Sequence, residues 1–172
     1  VTSPAAQFEV TVEANSAEYT YDGQKKEVSG FTNETDEGIA VTVGGVAYRV
    51  TGLSASAERT DAGSAVSYVM GTPTVLDAQN NNVTELFHVK PVNGTLTVKQ
   101  RTVTLTSASA TREYTGEALV AHGVTVSGDG WAAGEGAVYA YSGSQTLVGS
   151  SPNYFTATPD QNTKAGNYRM KL

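Results

Sequence analysis

Residues 8–14 of the chain read Phe-Glu-Val-Thr-Val-Glu-Ala, with apolar side chains at every second position and charged or hydroxylated ones between them. A period of two gives a strand one apolar and one polar face, so this stretch predicts a half-buried antiparallel β-strand. The same alternation occurs in four other stretches: 46–50, 95–98, 102–106 and 168–172. These five stretches are the firmest strand predictions.

The rest of the composition also favours strands over helices. Thr, Val, Ser, Gly, Ala and Tyr dominate, and the residues that fill solvated helix faces are sparse. Pairs such as Asp22-Gly23 and Asn93-Gly94 have the residue types of tight turns. No stretch of 11 residues has a helical period; Ser54–Asp61 comes nearest, and we expect a loop there. The sequence therefore predicts an all-β fold.

A repeat in the sequence divides the chain. Residues 10–24 align with residues 103–117 without a gap, and six of the pairs are identical: Val10/Val103, Thr11/Thr104, Ser16/Ser109, Ala17/Ala110, Tyr21/Tyr114 and Gly23/Gly116. Chance gives about one identity in such a window. The alignment predicts two copies of one β module.

Further matches follow with shifts in register. Gly63-Ser64 aligns with Gly149-Ser150, and Phe87–Lys90 aligns with Tyr168–Lys171. The first copy closes with Asn93–Val98, which has no counterpart before the sequence stops at Leu172, so we expect the second copy to lack its last strand. The predicted domains are residues 1–99 and a C-terminally truncated second module of residues 100–172. No Pro, Gly or Ser linker joins them, which indicates a stiff connection.

Short motifs resemble a known family of repeats. Tyr19–Gly23 and Tyr114-Thr115-Gly116 open the two copies, and Asn93–Val98 closes the first. These motifs resemble the MBG or YDG-type tandem β repeats of Gram-positive and gut-bacterial surface proteins. The resemblance implies a secreted or wall-attached, adhesin-like parent protein, and it transfers no catalytic residue to this chain.

Each module is expected to be a small immunoglobulin-like β-sandwich of about six to seven short strands. A β-grasp-like sheet is the alternative that the same strand pattern allows.

Charge and composition argue against several partners. The chain carries 11 basic and 17 acidic residues, a net charge of −6, and its basic residues are scattered, so we expect no nucleic-acid partner. It contains no Cys, which excludes disulfides and thiolate chemistry. No apolar run is long enough for a membrane span.

Catalytic and metal motifs are weak. The two histidines, His88 and His122, lie in no nucleophile motif, and we expect His88 on the solvent side of a strand and His122 in a turn. Two oxygen-rich stretches, Asn33–Glu37 and Asp77–Asn82, lack the alternating charged positions of a dedicated calcium loop. We therefore predict no enzyme activity, no metal site and no cofactor.

Aromatic residues of the second copy form the one candidate ligand site. Trp131 is the only Trp of the chain, and Tyr139 and Tyr141 follow shortly after it. An exposed aromatic surface beside Asp129 and Glu135 has the chemistry to stack on a sugar ring and bond its hydroxyls. The opposing interpretation places Trp131 over the end of the second core and turns the tyrosines inward.

The expected function is structural: a rigid extracellular repeat that holds another domain away from the cell wall and contacts neighbouring repeats of the same chain. Direct binding of a host glycan or protein by loops of the second copy is one alternative. An accessory module of a secreted glycoside hydrolase is another.

Overall fold

The computed structural model describes residues 8–172, and these residues fold mostly as β-strands. Two 3-10 turns, Thr84–Leu86 and Ala165–Asn167, are the helical elements of this part of the chain. The predicted all-β class is therefore confirmed. No helix within residues 8–172 combines the length and the apolar character that a membrane crossing requires.

The chain divides into two compact units. The first contains residues 8–19 and 25–98, and the second contains residues 20–24 and 99–172. This division differs from the predicted modules in placing residues 20–24 with the second unit. Residues 1–7 of the predicted first module lie outside the described residues.

The first unit is built from eleven strands in the described residues, of which β2 and β11 end on residues counted with the second unit. They are β1 Phe8–Glu13, β2 Ala17–Thr20, β3 Lys26–Ser29, β4 Glu34–Thr35, β5 Gly38–Val43, β6 Val46–Ser54, β7 Ser56–Arg59, β8 Gly63–Ser67, β9 Met70–Leu76, β10 Phe87–Val92 and β11 Gly94–Lys99. The strands form four sheets, of order β1-β10, β2-β11-β8, β3-β7 and β4-β5-β6-β9.

The core of the first unit lies under the inward faces of these strands. In β1 the alternation buries Val10 and Val12 and exposes their neighbours, as the period of two requires. The buried cluster contains Val10, Val12, Ala14, Phe31, Ile39, Val50, Ala55, Val75 and Phe87. Leu96 and Val98 of β11 are also fully buried.

The second unit has fewer strands. They are β12 Arg101–Ser107, β13 Val124–Gly128, β14 Ala137–Tyr141, β15 Phe155–Pro159 and β16 Tyr168–Lys171, in sheets of order β13-β12-β16 and β14-β15. The buried apolar side chains of this unit are Tyr21, Val103, Leu105, Ala132 and Tyr168.

Both units contain a parallel strand pair in the same register. Val10 of β1 lies opposite Val89 of β10, and Val103 of β12 lies opposite Met170 of β16. In the repeat alignment Val10 matches Val103, and Val89 matches Met170. The aligned residues therefore have equivalent partners in these two pairs.

One further contact in the second unit resembles a strand pair of the first. In the first unit β3 pairs antiparallel with β7, and Lys26 lies opposite Arg59. In the second unit Leu119 and Gln145, which lie 93 and 86 positions after these two residues, form a single antiparallel bridge. That the two units are copies of one sandwich module stays a prediction.

Three details of the sequence prediction are wrong. The stretch 8–14 was expected to pair antiparallel, but β1 pairs parallel with β10, because alternation fixes which face is buried and not the direction of the neighbour. The loop expected at Ser54–Asp61 contains β7, which β3 holds in place. The described part of the first unit has eleven strands and that of the second has five, so six to seven per module is wrong for both.

Candidate binding sites of the second unit

The predicted aromatic site is a packed cluster. Trp131 follows β13 and is half-buried, and its ring meets the ring of Tyr168 edge-on at 4.9 Å between centroids. The Trp131 Nε1 donates a hydrogen bond to the Tyr139 hydroxyl at 3.3 Å. Tyr139 in turn packs edge-on against Phe155 of the neighbouring strand β15. Trp131 and Tyr139 therefore lie together, within the packing of the unit.

Tyr141 lies apart from this contact. Its ring stacks on the ring of His122 at 4.7 Å, with 12° between the ring planes. The structure therefore brings together two of the three predicted ligand-binding residues and gives the third a different partner. Their role in ligand binding stays a prediction.

The two carboxylates expected beside Trp131 are bonded inside the unit. Asp129 accepts a hydrogen bond from the backbone N–H of Thr102 at 2.9 Å. Glu135 accepts one from the hydroxyl of Tyr21 at 2.5 Å and another from the hydroxyl of Tyr168. A sugar at Trp131 would have to compete with these internal partners for both carboxylates.

Glu135 is the centre of a buried tyrosine pair. Tyr21 and Tyr168 are each 4% exposed, and their rings meet edge-on at 5.7 Å. The backbone N–H of Ala132 donates to the Tyr168 hydroxyl at 3.0 Å, which fixes that hydroxyl between a donor and a carboxylate. Because Tyr21 belongs to residues 20–24, this contact explains why that segment is part of the second unit.

The ionisation of Tyr168 is suppressed in the folded chain. Burial, followed by the hydrogen bond to Glu135, raises the pKa of Tyr168 far above its ordinary value of 10.0. A group with a raised folded-state pKa contributes stability that is complete below its unfolded pKa and is lost as the pH rises through the folded one. The second unit should therefore become less stable towards unfolding at alkaline pH.

We expect the unfolding free energy of the second unit to fall between about pH 10 and about pH 12, the range above the ordinary tyrosine pKa. Trp131, the only Trp, reports this unit by fluorescence during urea unfolding. Tyr168→Phe removes the titrating hydroxyl and should make the decline shallower. An equally steep decline in the variant would show that Tyr168 is not the group responsible.

Trp131→Ala should lower the stability of the second unit, because the indole packs on Tyr168. Trp131 is half-buried, so we expect a loss of about 2 kcal/mol, below the 3–5 kcal/mol typical of a core Trp. Far-UV circular dichroism on heating measures it, and Trp131→Phe should recover much of the loss. An unchanged melting temperature for Trp131→Ala would instead favour an indole kept for a ligand.

The histidines lie in two different settings. His88 is exposed on β10, as expected, while His122 is held against Tyr141. Within residues 8–172 no three His, Cys, Asp or Glu side chains come together in a way that could hold a metal ion.

The two oxygen-rich stretches have structural partners. Glu34 accepts a hydrogen bond from the backbone N–H of Phe31 at 2.9 Å. Asp77 accepts backbone bonds from Gln79 and Asn81, and the bonds from Asn81 are the main cause that lowers the pKa of Asp77. These carboxylates close their own turns.

An open cleft of about 580 Å³ lies in the second unit and was not predicted from the sequence. Its walls are two stretches outside any strand, residues 108–115 and 146–153, with Leu119 and Ala121 among the lining side chains. Tyr114, Leu147 and Val148 line it and are 63%, 72% and 87% exposed. Apolar side chains on an open cleft indicate a surface able to take a partner.

The hydrogen bonds that Tyr21 and Tyr168 donate to Glu135 were also not predicted from the sequence. The opening motif contains Tyr21, but its partner Glu135 lies 114 residues away, and no local sequence pattern indicates that contact.

Comparisons of this chain with protein-family models, with curated proteins and with solved structures found no match.

Proposed function

We propose that the chain is a structural spacer segment of a secreted bacterial surface protein, built from β repeats of the MBG or YDG type. In this proposal its units carry no catalytic site, lie outside the cell and contact neighbouring repeats of the same chain. The proposal rests on the short opening and closing motifs and on one structural observation, the parallel strand pairs.

The parallel pairs are suited to bearing tension. In the second unit tension along the chain enters at the amino end of β12 and leaves at the carboxyl end of β16. These strands pair parallel over four positions, from Arg101 opposite Tyr168 to Thr104 opposite Lys171. Tension then acts along the strands, and the hydrogen bonds between them are loaded together instead of one after another.

The first unit repeats this arrangement over a longer stretch. Tension enters at the amino end of β1, and β1 pairs parallel with β10 over six positions, from Phe8 opposite Phe87 to Glu13 opposite Val92. The chain then leaves through β11, which begins two residues after β10 ends. The inward residues Val10 and Val12 of β1 are buried, so sliding the strands also exposes core.

The packing of the aromatic cluster favours a spacer function rather than a sugar-binding function. Trp131 is engaged with Tyr168 and Tyr139, and both nearby carboxylates have partners inside the unit. A glycan array on the intact chain should then give no specific binding.

Single-molecule force spectroscopy tests the mechanical proposal. Because the chain holds no Cys, a pair of introduced cysteines gives a unique pair of attachment points. Attachment through Gln100→Cys and Leu172→Cys pulls along β12 and β16. We expect the second unit to resist this direction strongly, since the bonds of the pair must break together.

The matched control pulls across the same strand pair. Thr102 and Arg169 are opposite each other in the register, so attachment through Thr102→Cys and Arg169→Cys opens the pair one bond at a time. The unfolding force at equal loading rate should be clearly lower than in the first geometry. Equal forces in both geometries, or a lower force along the strands, would contradict the proposal.

A further inference from the structure

We propose that the turn Thr20–Gln24 is a donated element that completes the core of the second unit. The turn belongs to the opening motif of the first sequence copy, and its neighbours in the chain, Tyr19 and Lys25, belong to the first unit. The stability of the second unit then depends on a tyrosine of the first copy and on the folding of the strands that present it. The inference goes beyond the spacer function and does not depend on it.

Tyr21 is held in the second unit by both its backbone and its side chain. Its backbone N–H donates to the carbonyl oxygen of Lys99 at 2.9 Å, and its own carbonyl oxygen accepts a bond from the Arg101 guanidinium at 3.3 Å. The phenol hydroxyl donates to Glu135 at 2.5 Å, and the ring meets that of Tyr168 edge-on. All four partners belong to the second unit. Tyr21 is therefore part of a core whose other members lie far away in the sequence.

The groups that receive Tyr21 are positioned by bonds of their own. Glu135 follows a turn in which its backbone N–H donates to the carbonyl oxygen of Ala132 at 3.0 Å. The N–H of Ala132 donates to the Tyr168 hydroxyl at 3.0 Å. The Arg101 guanidinium also donates to two carbonyl oxygens of the turn after β13, each at 2.7 Å. These bonds join residues within 99–172, so the receiving site is built by the second copy alone.

The second copy contains the same turn with its tyrosine on the outside. Gly23 and its match Gly116 have φ angles of +83° and +84°, a left-handed conformation that suits glycine. In both turns the backbone N–H after the glycine bonds a side-chain oxygen two residues earlier, at 2.9 Å and 3.3 Å. Yet Tyr21 is 4% exposed and Tyr114 is 63% exposed. The motif therefore builds a turn that presents a tyrosine, and burial of that tyrosine depends on a receiving site elsewhere in the sequence.

Both ends of the donated turn are continuous with strands. β2 ends at Thr20 and pairs with β11, and β3 begins at Lys26 and pairs with β7. While these strands are folded, the turn is a preorganised ligand on a short tether, with a high effective concentration and little conformational entropy left to lose. When they unfold, the same residues become a flexible segment, and Tyr21 stabilises the second unit less. The folded first unit should therefore stabilise the second unit through this turn.

Thermal unfolding of the intact chain, followed by Trp131 fluorescence, tests the inference, because the only Trp belongs to the second unit. We expect Tyr21→Ala to lower the melting temperature of this unit by at least about 10 °C. Tyr21→Phe keeps the ring and removes the bond to Glu135, so it should lower the melting temperature by about 5 °C. Tyr114→Ala makes the same change at the matching exposed position and should shift it by less than about 3 °C.

Hydrogen exchange shows where the loss of Tyr21 acts. In the Tyr21→Ala chain, exchange should become faster in β12 and β16, around the buried Val103 and Tyr168. It should stay slow in β6 and β9, around the buried Val50 and Val75. This pattern separates the loss of a donated side chain from a general loosening of the strands on either side of residue 21.

Val50→Asp tests the dependence on the first unit. Val50 is 0% exposed in β6, so an unpaired charge there should unfold the first unit, measured as loss of slow exchange in β6 and β9. We expect the melting temperature reported by Trp131 to fall as well, by less than in Tyr21→Ala. Adding Tyr21→Ala to Val50→Asp should then lower it by less than half of what Tyr21→Ala does alone, because both changes remove the same contribution.

Three results would overturn the inference. The first is a Tyr21→Ala chain whose second unit melts at the unchanged temperature. The second is an equal shift in Tyr21→Ala and Tyr114→Ala. The third is an unchanged Trp131 transition in a Val50→Asp chain whose first unit is unfolded, which would show that the second unit needs no support from the strands that present the turn.

Discussion

Tyr168→Ala is expected to lower the unfolding free energy of the second unit by about 4 kcal/mol, as for other buried aromatic residues cut back to alanine. Tyr168 is 4% exposed and contacts the rings of Tyr21 and Trp131. The change also deprives Glu135 of a hydrogen-bond donor in a partly buried place. A unit of about 80 residues has on the order of 4–12 kcal/mol in total, so the variant is close to unfolding.

Urea unfolding followed by Trp131 fluorescence measures this change, because the only Trp belongs to the same unit. Tyr114→Ala is the matched control: it makes the same chemical change at a tyrosine of this unit that is 63% exposed. An exposed substitution should stay within about 0.5 kcal/mol. Similar losses in the two variants would show that the Tyr21, Glu135 and Tyr168 contacts do not support the unit.

The alternation of apolar and polar residues in the sequence predicted strands of the fold correctly. All five alternating stretches are strands: β1, β6, β11, β12 and β16. In β1 and β12 the predicted apolar face is the buried one, with Val10 and Val103 inside. Because the residues on the buried face of a strand must be apolar, the sequence of the strand alone shows which face is buried.

Strands without such a face were not predictable. Residues 56–59 read Ser-Ala-Glu-Arg, a mixture of small and charged side chains that suits a loop. They form β7 because β3 provides backbone partners, and Lys25 adds an ion pair to Glu58 at 3.0 Å. Contacts between distant segments overrode the local preference here.

The candidate sites, like the strands, have one part that the local sequence predicted and another part that depends on distant contacts. The sequence identified Trp131 and Tyr139 as an aromatic group, and the structure brings the two into contact. It did not reveal that Tyr21 bonds Glu135, since this contact joins residues 114 positions apart. The cleft was not predicted because the residues that line it form no recognisable motif in the sequence.

Gly94→Ala is expected to destabilise the first unit by about 3 kcal/mol, the upper part of the range for overpacking. The added Cβ would meet the carbonyl oxygens of Asn15 at 2.1 Å and Ala14 at 2.9 Å, and neither is a flexible side chain. β11 must therefore move away from Ser16, which loosens the burial of Leu96. Hydrogen exchange along β11 and β8 should become faster.

We expect Gly166→Ala to have the opposite effect on stability, because Gly166 has space around it. A Cβ there meets no heavy atom within 4 Å, and its backbone is not in the left-handed region. Alanine at such a position limits the unfolded chain and is neutral or stabilising by up to about 1 kcal/mol. The two Gly→Ala changes should therefore differ in sign by thermal unfolding. A Gly94→Ala variant as stable as the unchanged chain would mean that β11 tolerates a side chain at this position.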